Sequence, residues 1–351
     1  MKTGKTLFAY GTFLALLCLL PAFAFPQTPF YEGKTITIVA PTEAGGTADM
    51  RIKAVVSVLK KYIPGNPAIV IEYMPGGGGR KAANYIYKVS RPDGFTIGNI
   101  FSGTVAFAVL GEPGVQYDVD RFIYVGSADT AVQYIFLSRK QAGLNNLEKL
   151  RSTPGVRLAS RSVGAADHTI VRAFAYLLGI TGPKFVTGYG GPEMDLALMR
   201  GEVDARAQTG DALMQRTPDW VEGGLVDFHA SIEIPKGHKE PRFAHLPELE
   251  SFAGSAKERR LLAMIRGFRQ VGSPYILPPG TPKEPVQILQ EAMRRAFKDA
   301  EFYREYKRLS GGEATPLMPE TLENAIKDLP REPDVIDLFK KLSGADPLPR
   351  R

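Results

Sequence analysis

Two short stretches of the chain carry residues suited to gripping an anion. The first runs Pro41, Thr42, Glu43, Ala44, Gly45, Gly46, Thr47, Ala48, Asp49. The second runs Ser160, Arg161, Ser162, Val163, Gly164, Ala165, Ala166, Asp167, His168. Each follows a strand-like segment and leads into helical periodicity, so each places small residues where a helix begins. The first N–H groups of a helix have no partner inside it, and the helix dipole adds partial positive charge there. Small side chains let an anion approach those groups. A carboxylate can be held this way without a full positive charge. The competing reading is an ordinary capped helix start, and either loop taken alone leaves both open.

Signatures of catalysis are missing. No G-x-S-x-G occurs, so there is no nucleophile elbow. His168, His229, His238 and His245 form no H-E-x-x-H and show no metal-ligand spacing. The one cysteine, Cys18, lies near the N-terminus and outside the expected mature chain, which excludes a cysteine nucleophile or a cysteine zinc site there. No Walker loop occurs. Gly76 to Gly79 invites a dinucleotide reading, but the third glycine of G-x-G-x-x-G falls on Lys81 or Ala82, a weak match. The sequence therefore predicts no catalytic residues, no metal and no cofactor.

The elements that position the two loops follow from periodicity. Residues 35–40 are a β-branched apolar strand. Thr47 or Asp49 can cap the next helix, whose apolar residues Met50, Val55, Val56, Leu59 and Ile63 recur at helical spacing. Residues 68–71 read as a strand, 75–79 as a turn into a helix reaching about Val89, 91–94 as a turn and 95–100 as a strand. A second unit repeats the pattern. It has a strand at 156–159, a helix carrying Ile170, Val171, Phe174, Leu177 and Leu178, a strand at 184–187, a helix from Gly190 to Met199 and a strand at 201–207. Such alternation predicts mostly parallel sheets with helices on their faces. Beyond Pro282 the chain reads as helices over 284–298, 300–309, 319–328 and 333–342.

With 351 residues, 44% of them hydrophobic, the chain can bury the cores of two lobes. Its net charge is +7, but acids interleave with the basic residues, as at Lys257, Glu258, Arg259 and Arg260. That pattern reads as solvated surface rather than a nucleic-acid footprint. Lys2 and Lys5 precede a nearly continuous apolar run at 7–20; Pro21 breaks it, and Ala22, Phe23 and Ala24 put small residues where a signal peptidase reads. The run is shorter than the ~20 residues of a membrane span. Residues 1–24 thus read as a cleaved secretory signal, with an uncleaved anchor as the alternative. Leu17 before Cys18 is too large for lipoprotein processing. The mature chain would hold no cysteine and hence no disulfide.

Six motifs in order make a family visible. The first loop follows the P-F-P-P-G-G-x-x-D pattern loosely; Tyr73 to Gly79 echoes N-R-P-G-A-G-G; Pro92, Asp93, Gly94, Phe95, Thr96 and Ile97 match P-D-G-[YF]-T-[IL] intact. Ser160 to His168 echoes S-x-G-x-G-S-x-x-H, Gly201 to Asp204 matches G-x-V-D, and Pro278 to Pro282 matches P-x-G-T-P. From about residue 31 to 328 the chain resembles the solute receptors of tripartite tricarboxylate transporters, the Bug family.

That resemblance implies an α/β, two-lobed, type II periplasmic-binding-protein-like fold. Each lobe would be a mixed, mostly parallel sheet flanked by helices, with a ligand cleft between lobes. Residues 25–130 with 256–351 would form lobe 1, and 131–255 lobe 2. The two loops would face each other, and N–H groups around Thr42, Ala44, Gly45, Gly46, Ser160 and Gly164, with ordered water, would clasp a carboxylate. Asp49 would fix water and the helix start, and Ser102 and Thr104 would offer hydroxyls to the cleft. Departures from the family pattern bear on the ligand. Glu43 stands where the family has an uncharged residue, and Arg161 is either its partner or a direct carboxylate clamp. Ser162 and Ala165 exchange positions of glycine and hydroxyl. In Thr187, Gly188, Tyr189, Gly190 the aromatic shifts by one residue relative to P-Y-K-G.

Further candidates carry two readings each. His168 is a packing or capping residue or a ligand contact; Gln208 and Asp211 reach a polar ligand group or lie exposed; Tyr189 lines the cleft or edges the core. Trp220 reads as core or lobe surface. The function implied is a periplasmic receptor without chemistry, acting as a monomer, that binds a small organic acid and passes it to membrane transporter subunits. It would bind no nucleic acid. The alternatives are a ligand-sensing partner of a membrane sensor kinase, or an exported enzyme on the same fold.

Overall fold

The structure is a computed structural model that describes residues 28–351; the expected signal segment, residues 1–24, lies outside them. The first half runs β1 (Thr35–Ala40), α1 (Thr47–Leu59), β2 (Ala68–Tyr73), α2 (Arg80–Lys88), β3 (Thr96–Asn99), α3 (Ser102–Val109) and β4 (Ile123–Ser127). The second runs β5 (Val132–Arg139), α4 (Leu147–Ser152), β6 (Arg157–Ala159), α5 (Ala166–Leu178), β7 (Lys184–Val186), α6 (Gly191–Arg200), β8 (Ala205–Thr209), α7 (Gly210–Arg216), α8 (Pro218–Glu222) and β9 (Val226–Ile234). There follow α9 (Ala256–Gln270), β10 (Pro274–Leu277), α10 (Lys283–Ala296), α11 (Ala300–Ser310), α12 (Pro319–Lys327) and α13 (Pro333–Ser343).

These strands form two five-stranded sheets, ordered β2-β1-β3-β10-β4 and β7-β6-β8-β5-β9. The β-branched run of β1 suits an inner strand: Ile36, Ile38, Val39 and Ala40 are all fully buried. Both sheets are mixed. The strand–helix–strand units give the parallel pairs β1–β2, β1–β3, β6–β7 and β6–β8. Every antiparallel pair involves β10 or β5, the strands at which the chain passes between sheets.

Element ends follow local chemistry. The strand expected at 201–207 begins only at Ala205, because Gly201 takes the left-handed conformation and ends α6. Asp204 then accepts from the Arg157 N–H at 2.9 Å and its guanidinium at 2.6 Å, fastening β6 to the start of β8. Within the P-D-G motif, Asp93 accepts from the Phe95 N–H at 3.0 Å, which closes the turn before β3. The glycine run before α2 is a packing device. Gly79 has φ +96, and a Cβ there would lie 2.7 Å from Thr104 Oγ1. Only a bare backbone lets α3 come this close.

Two segments join the sheets, 128–131 and 271–273, and they lie against each other. Gly272 has φ +64, and a Cβ on it would meet the Asp129 carbonyl oxygen at 2.1 Å. Thr315 secures the first segment: its Oγ1 accepts from the N–H groups of Thr130 and Ala131 at 2.8 and 2.9 Å. The last helix then turns back: α13 packs on α9 and on α5. Arg172 of α5, almost wholly buried, donates to the carbonyls of Leu342 at 2.7 Å and Asp346 at 2.6 Å, satisfying the end of α13.

Candidate ligand cleft

Three helix starts meet in one cavity. Ala48 and Arg51 of α1, Ser102 of α3 and Ala166 of α5 line a space of about 320 Å³ with Asn99, Asp129, Tyr134, Arg269, Tyr275 and Tyr306. None of the three helices has a side-chain cap: their N-cap residues Gly46, Phe101 and Ala165 make no capping hydrogen bond. Side chains cap α4, α7, α9 and α11 through Asn146, Thr209, Ser255 and Asp299, whereas α2, α8, α10, α12 and α13 also start uncapped, so it is the convergence of the three starts that marks the cleft. The cleft thus collects helix starts whose N–H groups keep free donor capacity.

Charge adds to this. Arg51 donates to Asp129 at 2.5 Å, and Arg269 stands 3.7 Å from the other oxygen of the same carboxylate. Two guanidinium groups against one acid leave an excess positive charge beside the cavity. Tyr306 is 1% exposed, and its hydroxyl has no hydrogen-bond partner. Burial raises its pKa, with Asp129 adding to the effect, so it stays protonated and able to donate.

A second cavity, of about 500 Å³, shares Ser102, Tyr134, Ala166 and Arg269 with the first. Its walls are mostly apolar, with Phe107 and Leu110 of α3, Ile170 of α5, Ile265 and Phe268 of α9, and Phe339 of α13 beside Glu112, Thr169, Lys340 and Ser343. The polar and apolar spaces adjoin at Ser102, Tyr134, Ala166 and Arg269.

The residues singled out from sequence fall into three groups. Ser102 and Gly164 line the cleft. Thr42 lies partly buried while Ala44, Gly45 and Gly46 are exposed at the loop tip, and Asp49 is buried behind them. Asp49 accepts from the Gly45 N–H at 2.7 Å, Lys53 Nζ at 2.7 Å and Tyr73 OH at 2.8 Å, so it locks the loop onto α1. Burial alone would raise its pKa, but these hydrogen bonds outweigh burial and hold it below the usual carboxylate range. Thr104, on the buried face of α3, has its Oγ1 unpartnered.

Ser160 and His168 support the second loop from behind. Ser160 Oγ lies 2.9 Å from His168 Nδ1, and His168 Nε2 lies 3.1 Å from the Gly344 carbonyl. A carbonyl only accepts, so Nε2 carries the proton and Nδ1 accepts from Ser160. Burial lowers the His168 pKa and favours this neutral form. The Gly164 N–H is itself engaged, donating to Ser343 O at 3.0 Å. Arg161 pairs with Asp167 in the first turn of α5 at 3.5 Å rather than with Glu43. Thr42, Ala44, Gly45, Gly46, Asp49, Thr104, Ser160, Arg161, His168, Tyr189, Gln208 and Asp211 all lie outside the linings of both cavities. Tyr189 reaches Glu202 at 3.4 Å, Gln208 is buried with neither amide atom partnered, and Asp211 is exposed in the first turn of α7.

Sequence reading missed Arg51, Asp129, Tyr134, Arg269 and Tyr306. Arg51 had a findable signal, since it stands one helical turn after Ala48 on the face that looks out from the loop. The others carry no local pattern.

No protein-family model matches the chain, and no curated protein matches it by sequence. Solved structures do match. A TctC solute-binding protein from Polaromonas, without ligand, aligns over 88% of this chain and 97% of its own, with TM-score 0.63 and 17% identity. The periplasmic binding protein BugD aligns over the same shares with TM-score 0.54 and 22% identity. The chain has the type II periplasmic-binding-protein fold. MatC from Rhodopseudomonas palustris, with bound malate, shares this fold at TM-score 0.53 and 23% identity, over 88% of this chain and 98% of that one. In a type II periplasmic-binding-protein fold, the cleft described above lies among elements of both sheets. Among the described residues, no helix is long and apolar enough to cross a membrane. Nor is any group of three or more His, Cys, Asp or Glu placed to hold a metal ion.

Proposed function

We propose that this protein is a periplasmic solute receptor that binds a small organic carboxylate between its lobes, without chemistry, and delivers it to a tripartite tricarboxylate-type membrane transporter. The sheet of β1–β4 and β10 is the core of one lobe, and the sheet of β5–β9 that of the other. One observation carries the reading: the uncapped starts of α1, α3 and α5 converge with Arg51 and Arg269 on a single cavity. Each charge-assisted hydrogen bond to a bound carboxylate contributes about 1.5–3 kcal/mol, and closure of the lobes strengthens it by excluding water. The malate held by MatC is an acid of the expected kind.

The test is a calorimetric and thermal-shift panel of mono-, di- and tricarboxylates on the mature protein. A bound acid raises the unfolding temperature by mass action. A panel that gives neither heat nor shift overturns the reading, and turnover of a bound acid would replace it with an enzyme.

A further inference from the structure

We infer that the acid taken by this cleft is a monocarboxylate with an extended apolar body, its carboxylate at Arg51 and Arg269 and its body in the chamber under α13. This rests on the carboxylate reading above and names the ligand class.

The chamber is built for apolar matter. Ile170, Ile265 and Phe268 are 4%, 4% and 7% exposed, and they come from two different helices. Phe268 and Phe339 meet edge to face at 5.3 Å, which fixes both rings. Phe107 is held from outside the cavity by Arg80, whose guanidinium lies 4.5 Å over its ring. Apart from Arg269, the charged residues of the lining are Glu112 and Lys340, one of each sign, so no excess cation awaits a second carboxylate. A compact diacid would fit the polar cavity of about 320 Å³ and leave the chamber of about 500 Å³ to water. A long acid replaces that water with hydrocarbon.

The experiment titrates the mature protein with butanoate, hexanoate, octanoate and decanoate, and with malate and adipate, by calorimetry. Affinity should rise about fourfold per methylene once the tail enters the chamber, and the longer monoacids should bind more tightly than either diacid. Gly103 lines the chamber, and a Cβ on it meets nothing within 4 Å. Gly103→Leu should therefore fold, with improved helix propensity, and fill the chamber. It should weaken decanoate at least tenfold and butanoate far less, so that the chain-length series flattens. A flat chain-length series, a preference for the diacids, or a Gly103→Leu protein that binds decanoate normally would each overturn this inference while leaving the carboxylate reading intact. Failure of every acid to bind would overturn both.

Discussion

Arg51 and Arg269 share one counter-charge, Asp129, although they belong to helices far apart in the chain. The acid keeps the two guanidinium groups from repelling each other in the free protein and leaves one net positive charge for a ligand. Arg51→Gln should weaken carboxylate binding about tenfold to a hundredfold, the loss of one charge-assisted contact. Calorimetry with the best-binding acid checks this; unchanged affinity would remove Arg51 from the site.

Asp49 is satisfied by three donors and serves the loop rather than the ligand. Asp49→Ala should cost about 2–3 kcal/mol of stability, because the Gly45 N–H and Tyr73 hydroxyl lose their acceptor. Urea denaturation measures the cost. A wild-type midpoint in the variant would show that the loop holds its shape without the clamp.

His229 gives a pH signature. It is buried with Nε2 2.8 Å from Ser138 Oγ, and burial pushes its pKa from 6.5 down to about 4. The unfolded chain then takes up a proton before the folded one as pH falls. Stability should be level above about pH 6.5 and decline by about 3 kcal/mol between there and about pH 4. The decline should be visibly smaller in His229→Gln, with His168 contributing in the same direction. Unfolding curves at pH 7 and 4.5 for both proteins decide it.

Gly272 admits no side chain. The left-handed conformation alone costs an ordinary residue roughly 1–2 kcal/mol, and the contact with Asp129 adds to it. Gly272→Ala should lose at least about 2 kcal/mol and also weaken ligand binding, since Asp129 must shift. A variant as stable as the parent, read by thermal unfolding, would contradict the packing of the two joining segments.

Much of the fold was legible. The late helices matched expectation to within two residues at each end because Asp299, Pro319 and Pro333 mark their starts and their apolar faces keep one period. The strands β4, β5, β9 and β10 were not read. Strand β9 alternates buried His229, Ser231 and Glu233 with Ala230 and Ile232, so polar residues occupy positions where a half-exposed strand would show solvent. The site divides the same way. The helix starts at Thr47 and Ala166 follow from glycine and alanine in a few adjacent residues, although neither Thr47 nor Asp49 caps α1 as expected: its N-cap is Gly46. Asp129 and Arg269 reach the cleft only because two remote segments cross beside Gly272, and no local sequence pattern announces it.

The return of α13 means that the two sheets are connected three times, not twice. On this third connection Arg331 is fixed by both oxygens of Asp120 at 2.7 Å, close to β4, whereas the next residue, Glu332, is held by Arg260 of α9. Arg266 in turn ties α9 to the β9 side through Glu250 and the Glu233 carbonyl. Neighbouring residues are thus anchored to different elements, Arg331 to the loop before β4 and Glu332 to α9, which itself packs on both α3 and β9. Any swivel of one sheet against the other must therefore work this Arg331–Glu332 link together with the two joining segments, 128–131 and 271–273.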